Sequence, residues 1–452
     1  MKRRALLARL GALSLGAATP GLLHGEEYVQ PYTVKKKQTT ADVLVVGGGT
    51  AGTIAAIQAG RAGMQTILVE SGSQLGGTTT TGGVAFPGIF FAWGKQVIGG
   101  IGWELVQESV LLNNDVLPDF SVPHGRQHWK HQVRINPAVY VLLAEEKCVE
   151  AGVELRFYET PVSATFKNGH WKVLLQGKGT STEVICKQLI DTTGNAFVAS
   201  MAGFPVLRES ETQPGTLMFT IEGFDAERLD MEKIKAAYAA AVARGELVKG
   251  EVTNLGAFLN NKGDTTPQHI AGADSSTSET HTLANIKARS SALRTLRFFK
   301  EMPGCEQVRI GMMRTEVAVR ETYRIDGLYK ITHEDYISGR KFDDALSYSY
   351  YPIDLHDAHG VVPKQLEEGM VPTIPFRALI PKNSRNFIVA GRCLSSDRLA
   401  NSALRVQASC MGMGQAAGAA AALACKLDIP LADVPVIDVQ DMISQYGGIV
   451  PK

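Results

Sequence analysis

The run Gly47-Gly48-Gly49-Thr50-Ala51-Gly52, with Glu70 beyond it, has the residue types and spacing to hold a dinucleotide. Gly47 permits a tight turn, Gly49 lets the backbone approach a pyrophosphate, and Gly52 lets a helix pack closely on a strand. Free N–H groups at the helix start lie at the positive end of its dipole and favour phosphate charge. Glu70 is placed to accept hydrogen bonds from a ribose. Any glycine-rich turn can imitate the first part of this pattern, so the flanks decide. Val43 to Val46 is an apolar strand run, and a small-residue helical pattern follows the glycines. Thr66 to Val69 is a second apolar run that stops at Glu70. Strand, turn, helix, strand and acid are in register, which favours a dinucleotide site over a merely structural βαβ turn.

Other chemistry-bearing groups are sparser. The six cysteines (Cys148, Cys186, Cys305, Cys393, Cys410 and Cys425) include no CxxC and no clustered Cys/His spacing. That argues against a zinc site, an iron–sulfur cluster or a disulfide scaffold. His124, His128 and His131 gather around Trp129 but lack an acidic or cysteine partner. No metal site is expected there, and contact with a substrate or cofactor is the stronger functional reading. Lys+Arg total 46 against 45 Asp+Glu, a net charge of +1, so no nucleic-acid partner is indicated.

These groups need a scaffold, and 452 residues suffice for two or three domains. Lys2-Arg3-Arg4 precedes an apolar, small-residue stretch that ends before Gly25-Glu26-Glu27, so residues 1–25 read as a signal peptide. The paired arginines hint at twin-arginine export, to the periplasm or outside the cell; a disordered cytoplasmic tail is the alternative. Residues 26–40 read as a linker, and no later apolar run is long enough for stable membrane insertion. Helix is expected over 137–151 and strand over 153–157. A hairpin is expected across Asn168-Gly169, then strands at 184–191 and 386–390. Residues 225–300 look mostly helical, and a Gly/Ala-rich helix is expected from Met411 to Leu427. Nucleotide-binding elements thus lie at both ends of the chain: an N-terminal part over 41–204 and a C-terminal part over 379–452. Residues 205–378 form an inserted substrate or cap domain. The fold class is α/β: a split Rossmann-like domain with an α+β cap.

Three segments together resemble the bacterial FAD-dependent oxidoreductases with a glutathione-reductase-type cofactor domain. The first is the βαβ unit continued through Leu75-Gly76-Gly77-Thr78. The second is Leu189-Ile190-Asp191-Thr192-Thr193-Gly194-Asn195, where the family usually has alanine for Thr193 and aspartate for Asn195. The third runs from Asn386 through Gly391-Arg392-Cys393 and from Arg405 to Gly418; Arg320–Arg324 and Tyr351–Asp357 are also similar. The resemblance implies bound FAD. Gly77 and the Thr78 to Thr81 hydroxyls would follow the pyrophosphate and ribityl chain, and Pro161-Val162 would lie by the adenine. Gly194 would lie near the AMP half and Gly391 by the ribityl or phosphate region. Gly412 and Gly414 would open the last helix's N-terminus toward the flavin.

Beside a flavin the protein must orient the substrate and handle a proton. His356 is the first candidate for base or substrate contact, with a hydrogen-bonded loop histidine as its alternative; His359 is weaker. Arg405, like Arg392 and Arg398, could hold phosphate, flavin carbonyls or an anionic substrate, or form a structural salt bridge. Arg320 and Glu321 could be a buried ion pair. Cys393 and Cys410 are read as buried small hydrophobes rather than reactive thiols. The expected activity is hydride transfer between flavin N5 and a small alcohol, sugar or amine, with an unknown external electron acceptor. The rivals are an ene-reductase acting on an apolar isoprenoid and a non-catalytic exported FAD-binding protein.

Overall fold

The computed structural model describes residues 33–122, 127–252, 254–261, 268–357, 360–361 and 364–452. The expected signal peptide, His124 and His359 lie outside them. β1 (Lys35–Val46), α1 (Thr50–Arg61) and β2 (Thr66–Glu70) form the first unit, with Val43 opposite Thr66 and Val46 opposite Val69 in parallel. β1 starts inside the stretch read as linker. Lys35–Thr40 pair along Thr180–Ile185, so the linker reading is corrected to end before Lys35. Their mostly exposed Lys, Gln and Thr side chains gave no apolar alternation to read.

Two short strands, β3 (Phe91–Ala92) and β4 (Lys95–Gln96), precede α2 (Ile101–Leu112) and α3 (Pro137–Glu150). α3 opens with proline at its first position, and the Asn136 side chain accepts from Ala138 N at 2.9 Å. β5 (Glu154–Phe157) joins β2 in parallel. β6 (Thr160–Lys167) and β7 (His170–Gly177) form the expected hairpin; Asn168 and Gly169 both take positive φ, 54° and 81°. β8 (Thr180–Asp191) returns alongside β1.

The inserted stretch contributes α4 (Phe197–Met201), β9 (Val206–Leu207), β10 (Phe219–Glu222), α5 (Met231–Ala243), α6 (Leu255–Asn260) and α7 (Ser278–Lys300). β11 (Arg309–Met313), β12 (Arg324–Ile325), α8 (His333–Ile337), β13 (Ala345–Tyr348), β14 (His356–Asp357), β15 (Gly360–Val361) and β16 (Thr373–Pro375) follow. The chain then returns to the main sheet with β17 (Phe387–Val389), α9 (Arg398–Leu404), α10 (Gln407–Leu427) and α11 (Val436–Gln445).

The seven-stranded sheet runs β5-β2-β1-β8-β7-β6, with β17 also on β8. β7 pairs with the first part of β8, up to Cys186, and β17 takes over at Leu189–Asp191. β2, β17 and the second half of β1 are buried on both faces, whereas β5 at the edge is partly exposed. Val43, Val45 and Leu68 pack toward α1 and α10, while Leu44, Val46, Ile67 and Val69 pack toward Trp171 and α4.

α10 begins at Gln407, a full turn before the expected start at Met411. Hydrogen bonding within it is already under way at Cys410 N, which donates to Val406 O. Gly412 and Gly414 therefore sit inside the helix, where their amides serve its own ladder. This corrects their assignment as flavin-facing amides. Their missing side chains serve packing instead: a Cβ on Gly414 would lie 2.2 Å from Ala51 O, and one on Gly418 2.4 Å from Ala55 O.

Gly414→Ala should thus destabilise the protein by about 1–3 kcal/mol through overpacking. Gly256→Ala in α6, where the nearest atom is 3.6 Å away, should not destabilise it. Urea denaturation of both variants checks this; equal stability would contradict the packing argument.

Candidate functional site

A cavity of about 740 Å³ opens where β1, β2, β8 and β17 end, lined there by Val46, Glu70, Thr192 and Ala390. That is the edge at which open parallel sheets take ligands. Gly47, Gly49, Glu70, Gly77, Thr78, Gly194, Gly391 and Arg405 line it; Gly52, Val162, Gly412, Gly414 and His356 do not. Gly47 has φ +102°, and a Cβ there would meet Thr192 O at 2.7 Å. Gly52 packs α1 on the turn, its Cβ position only 1.9 Å from Gly47 O. A Cβ on Gly49, by contrast, would meet nothing within 4 Å. Gly49 is the N-cap of α1, and no side chain caps that helix.

Glu70 holds this turn. Its Oε2 accepts from Gly48 N at 2.8 Å, and its Oε1 from Gly72 N at 2.7 Å and Ser71 Oγ at 3.1 Å. A carboxylate has further lone pairs to offer a ribose hydroxyl. The Val162 assignment needs correction: a bulge between Pro161 and Ser163 leaves the Val162 side chain half exposed, while Glu159, Thr160 and Pro161 line the cavity.

The threonine loop divides its labour. Thr78 and Thr81 face the cavity, whereas Thr79 and Thr80 are buried in structural bonds. Thr79 Oγ1 lies 3.2 Å from Thr50 Oγ1, at the start of α1, and donates to Gln407 Oε1, at the start of α10, at 2.5 Å. Gln407 Nε2 in turn donates to Val84 O at 2.9 Å. One loop thereby ties two helix N-termini to the same cavity. α10 likewise lacks a side-chain cap.

Arg392 lines the cavity next to Gly194. Its guanidinium donates to Gly194 O (2.7 Å), Val319 O (2.6 Å) and Asn195 Oδ1 (2.7 Å), and no carboxylate among the described residues pairs with it. Asn195 stands where the resemblance led us to expect aspartate. Being neutral, it leaves the arginine's charge available to an anion. Sequence reasoning missed Asp191, buried at the end of β8. It accepts from Thr193 N, Thr193 Oγ1 and Ala199 N, fixing the Thr192–Asn195 turn. Burial pushes its carboxyl up despite those bonds.

His356 lies outside the cavity lining. The Asp354 carboxylate can only accept, so His356 Nε2 carries the proton across their 3.1 Å contact. Its Nδ1 then accepts from His269 Nε2 at 2.9 Å. Burial pushes the imidazole down to about 4, against the pull of Asp354, so it stays neutral near pH 7. Burial acts to raise Asp354, but the His356 bond and the Arg405 and Arg320 charges outweigh it and hold that carboxyl at about 2. Arg405 Nη2 donates to Gln213 Oε1 and to Asp354 O, both at 3.1 Å. Arg320 and Glu321 do not pair with each other. Glu321 accepts from Arg398 at 3.1 Å and from Gln213, while Arg320 binds Pro214 O and Thr216 Oγ1.

The remaining candidates stand apart. His128 and His131 sit on a short 3-10 turn with Trp129, off the cavity. Cys393 and Cys410 are buried, and burial pushes both thiols up, Cys410 to about 12, which suits the reading as small hydrophobes. Sequence reasoning also missed His281, Asn285 and Arg289 of α7, which line the cavity from the inserted stretch. The signal that could have placed their helix is its capping box at Thr277 and Thr280.

A model of the FAD dependent oxidoreductase family matches residues 42–443. The chain belongs to that family. No curated protein sequence matches it significantly. Matching solved structures include a geranylgeranyl bacteriochlorophyll reductase-like protein from Thermoplasma acidophilum. It shows 14% identity over 91% of this chain and 83% of that one, with a TM-score of 0.41. The anhydrotetracycline hydroxylase OxyS from Streptomyces rimosus shows 11% identity over 90% and 66%, TM-score 0.43. The p-nitrophenol 4-monooxygenase PnpA from Pseudomonas putida DLL-E4 shows 11% over 90% and 84%, TM-score 0.39.

FAD fits the residues present. The uncapped α1 N-terminus and Arg392, whose charge no carboxylate among the described residues neutralises, suit a pyrophosphate, and the space in front of Gly49 is open. The cavity's volume lies in the range of small-molecule sites.

The His356 environment makes stability pH-dependent. Its folded pKa of about 4 lies below the ordinary 6.5, so between these values the unfolded chain binds a proton that the fold excludes. Stability from this source is full above pH 6.5 and is lost as pH falls toward 4. The drop in Tm between pH 7 and pH 5 should therefore shrink in His356→Gln; an unchanged drop would contradict the assignment.

Proposed function

We propose that this FAD-dependent oxidoreductase transfers a hydride between flavin N5 and a small polar substrate of alcohol, sugar or amine type. The observation that carries the reading is the polar lining of the cavity beyond the glycine turn. Ser275, Thr282, Asn285, Arg289, Thr315 and Arg405 contribute to it. Several of these groups already bond within the protein (Thr282 to Ser278 O, Asn285 to His281 O, Arg289 to Thr315 O), but their remaining donors and lone pairs suit hydroxyl or amino groups better than an isoprenoid chain.

FAD, when bound, supplies the two-electron chemistry. The protein's share is binding and orientation. The glycine turn, Thr78, Glu70 and Arg392 would hold the dinucleotide, and Arg405 and Gln407 would face the substrate end. With FAD bound, oxidation of such a substrate would deliver a C–H hydride to the cofactor and release its O–H or N–H proton to solvent. His356 is off the cavity and locked between Asp354 and His269, so its part is to position Asp354 and, through it, Arg405. The proposal also includes a glutathione-reductase-type cofactor domain, an electron acceptor outside the chain, and export directed by residues 1–25.

The test is anaerobic mixing of the FAD-loaded full chain with alcohols, sugars and amines while flavin absorbance is followed. Bleaching by a polar donor is expected. If only an apolar alkene reoxidises the reduced protein, the ene-reductase reading replaces this one; if no donor or chemical reductant bleaches it, the protein is a binding module.

A further inference from the structure

We propose that the substrate carries a carboxylate and that Arg405 grips it, an inference that rests on the hydride-transfer reading above. A guanidinium has five N–H donors. The side-chain hydrogen bonds of Arg405 among the described residues both run through Nη2. Its Nε is buried without a hydrogen-bond partner and closed to solvent, so the donors left for a ligand in the cavity it lines are those of Nη1 and any N–H of Nη2 not already engaged. The donors left over are the kind that a carboxylate meets with two parallel hydrogen bonds.

The charges around it leave room for one more anion. Asp354 Oδ2 lies 3.6 Å from Arg405 Nη2, but that carboxylate also serves His356 and stands in the field of Arg320. Glu321, fully buried, is committed to Arg398 and Gln213. Among the described residues, Arg320, Arg398 and Arg405 thus share two carboxylates, and the intervening His356 is neutral. Buried positive charge without a counter-ion is costly. Burial and the neighbouring Arg405 charge already depress the Arg320 guanidinium to about 9.

The pyrophosphate of FAD does not account for this excess. Its expected partners are the start of α1 and Arg392, which is anchored on Gly194, Asn195 and Val319. Arg405 is anchored separately, on Gln213 and Asp354. The Asp354–His356–His269 chain holds in place the Asp354 residue on which Arg405 is anchored.

The test is titration of the FAD-loaded full chain with benzoate and malonate, and with benzamide and malonamide, following the flavin's visible bands. The acids should perturb the spectrum saturably and the amides should not. Arg405→Gln should weaken acid binding roughly 10- to 100-fold, the loss expected for a charge-assisted contact. Arg405→Lys, which keeps the charge but not the fork, should recover part of it. Three results would overturn the proposal: amides binding as well as acids, no acid perturbing a yellow protein, or acid binding surviving Arg405→Gln while the flavin's midpoint potential falls. The last would assign the charge to the cofactor. A chain that takes up no FAD overturns the underlying reading as well, so the two failures are told apart by colour.

Discussion

The backbone contact between α1 and α10 is the constraint on which the site depends. Side chains at Gly414 and Gly418 would collide with the carbonyls of Ala51 and Ala55, so the two helices can meet only where glycine allows it. Gly52 repeats the device against Gly47, pressing the start of α1 onto the end of β1. Close approach aligns two helix N-termini on one cavity, and the Thr50–Thr79–Gln407 bridge joins them. Two positive dipole ends facing one space are unfavourable together unless a ligand with negative charge lies between them. The packing therefore prepares an electrostatic environment that a dinucleotide relieves.

The buried charges extend the same logic away from the helix ends. Asp191 fixes the turn that presents Gly194, and Asn195 then orients Arg392 without neutralising it. Further along, Asp354, His356 and His269 form a hydrogen-bonded string behind Arg405. Each group is held by two or more partners, so the arginines are pre-oriented before any ligand arrives. Pre-orientation of this kind lowers the ordering cost of binding.

Much of the scaffold was legible because its residues carry local signals. The apolar runs at Val43–Val46 and Thr66–Val69, the Asn168-Gly169 turn and the glycine spacing each state a backbone requirement that a single segment satisfies. The errors arose where the reason for a residue is a distant partner. Lys35–Thr40 looked like linker because their pairing strand lies over a hundred residues away. Gly412 and Gly414 looked like a helix start because nothing local marks Gln407 as the true one; their neighbours are Ser347 and Ala51. His356 looked like a base because its segment was expected to close over the flavin ring, yet Asp354 and His269 hold it off the cavity as a hydrogen-bonded loop histidine. The contribution of α7 to the cavity wall was invisible for the same reason: a helix sequence does not say which cavity it faces.

The central claim is that α1's open N-terminus receives the cofactor at Gly49. The direct measurement is FAD affinity of Gly49→Val, set beside the thermal stability of its FAD-free form. Gly49 has φ −69° and open space around its Cβ position, so the fold should tolerate the substitution. The new side chain would occupy the space proposed for the pyrophosphate. The account predicts FAD binding weakened at least roughly 100-fold, the loss of several phosphate hydrogen bonds, with an unchanged FAD-free Tm. Undiminished FAD binding by a folded Gly49→Val protein would contradict it.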